Sequence, residues 1–180
     1  VKLPEETMTM LEDAVVWYKE YSHKTNIAIG PVTDVWAKYR DGYVVGPDVL
    51  EEDAGTVSDE AKLPPMELLE EASRYTSLDH LILDHEAGTA YLDDVRAKLD
   101  VGAVAKGYAV EILAKESEER GVDSGLISAG GNVRIIGKPM DGDRSKWTIG
   151  VENPDEKARA EGDGIKEVFF LNQGAVVTSG

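Results

Sequence analysis

The stretch Leu99-Asp100-Val101-Gly102-Ala103-Val104-Ala105-Lys106-Gly107-Tyr108-Ala109 decides how this chain is read. An alternating apolar segment ends at Asp100, a turn of small residues follows, and a helical pattern then runs to Arg120. This places a carboxylate at the end of an expected strand and a lysine at the start of an expected helix. Gly102, Ala103 and Gly107 put almost no side-chain bulk between them, so a ligand can approach the backbone closely. The first turn of a helix also presents free N–H groups and the positive end of a dipole, which suits phosphate. Neither standard phosphate signature is present. Gly102 and Gly107 have Walker spacing, but Lys106 precedes the second glycine and Tyr108 follows it. A G-x-G-x-x-G dinucleotide fingerprint is absent as well. On spacing alone, packing and ligand binding both remain open for this turn.

The segment Asp100 to Ala109 resembles the signature of the ApbE family, the FAD:protein FMN transferases. Four further stretches resemble that family in its order. They are Asn26-Ile27-Ala28-Ile29-Gly30-Pro31-Val32 with Trp36, Ile127-Ser128-Ala129-Gly130-Gly131-Asn132-Val133, Trp147-Thr148-Ile149-Gly150-Val151-Glu152-Asn153-Pro154, and Val177-Thr178-Ser179-Gly180. The resemblance implies an α+β, ApbE-type T-fold, with helices packed on antiparallel sheet. It also implies the reaction: Mg²⁺-dependent cleavage of the FAD pyrophosphate, transfer of FMN to a threonine hydroxyl of a target protein, and release of AMP.

Site residues follow from the same resemblance. Asp100 and Lys106 are expected to contact FAD, and Ala103 to contribute to Mg²⁺ through its backbone carbonyl, the only oxygen it can offer a hard cation. Lys24, Thr25 and Asn26 fall where the family's loop before the Gly-Pro step touches FAD. They replace a more usual Ala-Phe-Asp, so backbone contact is the expectation there. Asp100 has a structural alternative in capping the turn that follows it, and Lys106 in being a solvated lysine at a helix start. Gly130 and Gly131 would lie beside the flavin, with Asn132 where the family commonly has Asp.

Composition narrows the partners. The chain has 180 residues, 42% of them hydrophobic, enough for one domain with a substantial core. Its net charge of −16 argues against nucleic acid, which needs a basic face, but not against a dinucleotide held by a local lysine. There is no cysteine, so disulfides and thiolate metal sites are excluded. No apolar run reaches membrane-spanning length. The expected partners are FAD and a target protein bearing an acceptor threonine, such as a respiratory or extracellular flavoprotein subunit. The resemblance places such proteins outside the cytoplasmic membrane on a lipid anchor, whose cysteine would lie upstream of Val1. We read residues 1–180 as a single domain cut at both ends, because the family's histidine loop and later Ala-Asp…Thr metal segment would follow Gly180.

Along the rest of the chain, Thr9 to Tyr21 reads as a helix with Leu11, Ala14, Val15 and Tyr18 on one face. Ile27 to Ile29 reads as a short buried strand. Val32, Val35, Trp36 and Tyr39 have helical spacing and are read as a packed stripe. Asp41 to Lys62 reads as an acidic, solvated excursion, and Pro64-Pro65 as the start of a helix to about Tyr75. His80 to Asp84 and Thr89 to Leu92 read as a hairpin. With no third histidine nearby, His80 and His85 do not read as a metal site. After the central motif, Ala109, Ile112 and Leu113 mark a helix face, and Gly121 its stop. Short strands are expected at Val122 to Ser128, Asn132 to Ile136, Trp147 to Val151, Val168 to Leu171 and Ala175 to Val177, with a polar, mobile Asp155 to Asp163 between. Two readings compete with transfer: an FAD pyrophosphatase using water as acceptor, and a non-catalytic flavin-binding envelope protein.

Overall fold

A computed structural model describes residues 1–40 and 63–178. The excursion expected over 41–62 and the last two residues of the Thr178-Ser179-Gly180 motif lie outside the described residues. The chain forms two compact units, Val1–Val104 and Ala105–Gly180.

In the first unit, helix α1 (Glu5–Val16) continues into a single π-helical turn at Trp17–Tyr21. A 3-10 turn at Ile27–Ile29 leads directly into helix α2 (Gly30–Arg40). The apolar run Ile27 to Ile29 is therefore not a strand. Asn26 caps it, accepting the Ala28 N–H at 2.8 Å, and the Gly-Pro step starts a helix rather than a turn. Helix α3 (Met66–Ser73) begins immediately after Pro65, and a 3-10 turn at Leu78–His80 enters the hairpin of β1 (Leu81–Asp84) and β2 (Thr89–Leu92). The two strands are antiparallel, with Leu81 opposite Leu92 and Asp84 opposite Thr89. Leu11, Ala14, Ile27, Ala28 and Leu78 are buried together, and Leu81, Leu83, Ala90, Leu99 and Val101 pack against them. Ile27 retains only 1% of its exposure, so the short turn is a core anchor as well as a connector.

Two expectations need correcting here. Asp100 does not end a strand: Ala97 to Val101 runs outside the β1–β2 sheet, and the Asp100 N–H donates to the Ile27 carbonyl at 2.7 Å. Trp36 does not pack as core and stays 44% exposed. The rest of that stripe, Val32, Val35 and Tyr39, is half-buried, while Gly30 meets Lys98 on another side of the helix. The histidines pair with carboxylates: His80 Nδ1 lies 2.7 Å from Asp93 Oδ1, and His85 Nδ1 lies 3.0 Å from Glu12 Oε1.

The boundary between the units falls within helix α4 (Gly102–Glu119), which begins at the small-residue turn itself. The buried positions of α4 are Val110 and Ala114, whereas Leu113 is 51% exposed. The face is rotated from the expected one because Gly107, Val110 and Ala114 share a side, and Gly107 faces the Asn132 side chain. In the second unit β3 (Gly125–Ala129), β4 (Asn132–Ile136) and β7 (Gly174–Val177) form an antiparallel sheet in the order β3-β4-β7. β5 (Trp147–Glu152) pairs with β6 (Ile165–Leu171), also antiparallel. Between them Asp155 caps a short helix α5 (Glu156–Ala160) by accepting from Lys157 and Ala158, so this polar stretch includes a turn of helix. The architecture is α+β, with helices and antiparallel sheet as expected.

Candidate functional site

Two hollows in the first unit differ in chemistry. The larger, about 550 Å³, is lined by apolar side chains such as Leu3, Met10, Leu81, Leu92 and Leu99. It offers no charged side chain to orient a phosphorylated ligand. The other, about 420 Å³, is walled by Lys24, Thr25, Asn26, Asp100 and Ala103, with Ile27, Ile29, Thr33 and Gly102 completing it. The second is the candidate site, because it combines an apolar wall with a cation, a carboxylate and two hydroxyls. Five of the six residues singled out from sequence converge on it. The sixth, Lys106, belongs to the second unit.

Each wall is fixed by local structure. Both ends of the Asn26 amide are engaged: its oxygen caps the Ile27–Ile29 turn, and its nitrogen donates to the Thr76 carbonyl at 2.8 Å. Asn26 therefore shapes the loop and leaves ligand contact to its backbone and to its neighbours Lys24 and Thr25. The capping alternative for Asp100 is realised, since Oδ1 accepts the Gly102 N–H at 2.9 Å at the start of α4. That bond first, and then the Thr33 hydroxyl, lower the Asp100 carboxyl from its ordinary value; burial opposes them, and the charge of Lys98 adds the least. Asp100 is thus ionised at neutral pH, with lone pairs left over for a ligand. Two first-turn N–H groups of α4 are engaged within the chain, Gly102 on Asp100 and Val104 on the Val101 carbonyl. The helix start is correspondingly less open to anions than its sequence suggests.

In the second unit Lys106 extends toward the β3–β4 turn, where its Nζ lies 3.9 Å from the position a Cβ on Gly130 would take. Gly131, at φ +88°, has no room for a side chain: a Cβ would stand 2.8 Å from Thr178 Oγ1 and 2.9 Å from its carbonyl oxygen. The Thr178 N–H donates to the Gly131 carbonyl at 2.9 Å, so the glycine turn is clasped by the chain's last described residue. Asn132, 9% exposed, turns its oxygen toward Gly107. The paired glycines are a close-approach turn, and Lys106 is the cation beside it.

Thr33, Ile27 and Ile29 were not singled out as site residues from sequence. Thr33 lies one helical turn after Gly30, and the signal that points to it is the Gly-x-x-Thr spacing, which sets both on one face of α2.

Comparison with known proteins points to one family. The family model described as the ApbE family matches residues 1–180. An FAD:protein FMN transferase of Klebsiella pneumoniae is 29% identical over 155 residues, covering 86% of this chain and 40% of its own length. A crystal structure of the ApbE protein from Thermotoga maritima superposes with a TM-score of 0.73 at 26% identity, covering 100% of this chain and 50% of that one. The flavin transferase ApbE from Vibrio cholerae superposes with a TM-score of 0.71 at 22% identity, covering 99% of this chain and 50% of that one. The chain spans less than half the length of the curated relatives it matches.

Proposed function

Because the chain belongs to the ApbE family, we propose that it serves an FAD:protein FMN transferase, moving FMN from FAD to a threonine hydroxyl of a target protein with Mg²⁺ as cofactor. The observation that carries this reading is the convergence of Lys24, Thr25, Asn26, Asp100 and Ala103 on one cavity. These residues come from separate segments, and a packing role alone does not require charged and small residues from both to meet.

The reaction breaks the P–O–P link of FAD. The acceptor hydroxyl oxygen forms a bond to the phosphorus of the FMN half, its proton is lost, and AMP leaves. Such a step depends on positioning and on meeting the charge that grows on the phosphate oxygens. Lys24 is the cation that this cavity offers to that charge, Lys106 is assigned to FAD on the family resemblance, and the Ile27 and Ile29 wall would hold apolar parts of the ligand away from water. Among the described residues no group of three or more His, Cys, Asp or Glu converges to cage a metal. The oxygen donors present fit a hard cation: the ionised Asp100 carboxylate and the Ala103 carbonyl would hold Mg²⁺. When bound there, Mg²⁺ would screen the pyrophosphate and the charge that develops on it.

The same reading places the protein outside the cytoplasmic membrane on a lipid anchor. Among the described residues no helix is long and apolar enough to cross a membrane.

The test is intact-mass analysis of an acceptor domain bearing the threonine, incubated with the full-length gene product, FAD and Mg²⁺. A gain of one FMN, abolished by EDTA and by Lys106→Ala, is the expected result. An unchanged acceptor with FMN and AMP accumulating would replace transfer by hydrolysis. Unchanged acceptor and unchanged FAD would overturn both enzymatic readings.

A further inference from the structure

The outer edge of β2 already pairs with the start of the chain. The Val1 nitrogen donates to the Ala90 carbonyl at 2.7 Å, and the Ala90 N–H donates back to the Val1 carbonyl at 2.9 Å. Lys2 bridges antiparallel to Thr89, and the Leu3 N–H donates to the Gly88 carbonyl at 2.9 Å. Residues 1–3 therefore run along β2 in strand register, on the side away from β1. Backbone groups alternate sides along a strand, so Ala90 turns outward and Asp93 inward, its N–H donating to the His80 carbonyl at 3.1 Å. Leu92 shares the outward side with Ala90. Its N–H and carbonyl have no hydrogen-bond partner among the described residues, although Leu92 is half-buried, where an unpaired backbone group is costly. Beside this edge lies the apolar hollow of about 550 Å³, whose lining includes Val1, Leu3, Met10 and Leu92. Val1 is 87% exposed and Tyr91 64%, so apolar surface stands open where the pairing stops.

We propose that this edge is a docking site for the polypeptide immediately ahead of Val1 in the full-length protein, which continues the strand along Tyr91 and Leu92 and roofs the apolar hollow. The Lys2–Thr89 register fixes the pairing. The residue directly before Val1 falls opposite Tyr91, as a non-hydrogen-bonded pair with closely spaced α-carbons. The second residue before Val1 falls opposite Leu92 and exchanges both backbone bonds with it. Its side chain shares the face of Val1 and Leu3, because strand side chains alternate with a period of two, and so it lies over the hollow. The apolar lining favours an apolar side chain there. Two observations favour the protein's own chain over a separate partner. Residues 1–3 already hold the register, so the continuation is ordered at little further cost. Residues 1–180 also span less than half the length of the curated relatives, which leaves polypeptide outside them to supply the strand. Main-chain pairing of this kind stands independently of the flavin reading.

The test is NMR on the isotope-labelled full-length gene product. A cross-strand Hα–Hα contact is expected between Tyr91 and the residue directly before Val1, the short contact that a non-hydrogen-bonded antiparallel pair makes. The Leu92 N–H is expected to exchange slowly with solvent, at a rate independent of protein concentration. Proline placed at the second position before Val1 breaks the pairing and is expected to speed Leu92 exchange roughly tenfold. The Hα contact is read in the wild-type protein, so the proposal stays testable should the proline variant not fold. Absence of that contact overturns the proposal even where Leu92 is protected, because another segment then covers the edge. Fast Leu92 exchange in the wild type overturns it as well, and so does a rate that proline leaves unchanged. Protection that grows with protein concentration replaces the upstream chain by a second copy and overturns it too.

Discussion

At Gly30 the difference between glycine and alanine is a collision with backbone. The Cβ of an alanine would lie 2.5 Å from the Lys98 carbonyl oxygen and 2.8 Å from its carbon, and backbone on both sides cannot step aside cheaply. Gly30→Ala is expected to destabilise the first unit by about 1–3 kcal/mol, read as a lower urea midpoint, because overpacking forces the two segments apart. It should also weaken FAD binding, since the displaced segment carries Asp100. Asp94 offers a separate pH test. Hydrogen bonds from the Arg96 side chain and backbone lower its carboxyl from 3.8 to about 2. A depressed carboxylate contributes stability above its unfolded value and loses it as pH falls through the folded value. Stability should therefore drop between about pH 4 and pH 2 in part through this group. Asp94→Asn should flatten that limb of a stability-versus-pH curve. At this scale Asp100, Lys106 and Ala103 were legible as candidates because they sit in a contiguous motif. Thr33 was not, since its partner is remote in sequence and a lone threonine in a helix has no pattern of its own.

Among the elements, the Ile27–Ile29 turn depends on Asn26. Removing that side chain deletes the cap on Ala28 and the bond to the Thr76 carbonyl, one of which ties the turn to the residues after α3. Asn26→Ala is expected to cost about 1–2 kcal/mol in a thermal melt, with loss of FAD affinity because Lys24 and Thr25 ride on the same loop. In the second unit, α4 is joined to β4 by Arg134, whose side chain is 16% exposed and whose Nε donates to Glu111 Oε2 at 2.7 Å. Glu118 approaches its Nη2 at 3.6 Å. Glu111→Ala should destabilise by about 1–2 kcal/mol, because it strips a mostly buried guanidinium of its nearest partner while Glu118 partly compensates. Periodicity found these elements more readily than their faces. In α4 apolar residues occur on several sides, so the inward face was settled by Gly107 meeting Asn132. In α2 the apolar stripe held for the half-buried Val32, Val35 and Tyr39 and failed at Trp36, which stays exposed.

For the molecule as a whole, a net charge of −16 sets like charges against one another throughout a compact chain. Raising NaCl from low to physiological concentration should increase the melting temperature by screening that repulsion, and a fall would show that local ion pairs outweigh it. Local sequence pattern was enough for the α+β class, the hairpin at Leu81 to Leu92, the positions of most helices and strands, and the motif order that marks the ApbE family. These depend on local patterns: alternation, helical period, and glycine and proline at turns. Folding in three dimensions was needed to make Ile27 to Ile29 a turn and not a strand, to set Asp100 off the sheet and bond it to Ile27, and to bring Lys24, Thr25, Asn26, Asp100 and Ala103 to one cavity. Residues 24–26 and 100–103 are far apart along the chain, and no local pattern encodes which remote carbonyl will accept an N–H or which glycine will be pressed against which backbone. Those choices are made by packing, where the close approach of Gly30 to Lys98 fixes the distance and the hydrogen bonds of Asp100 fix the direction.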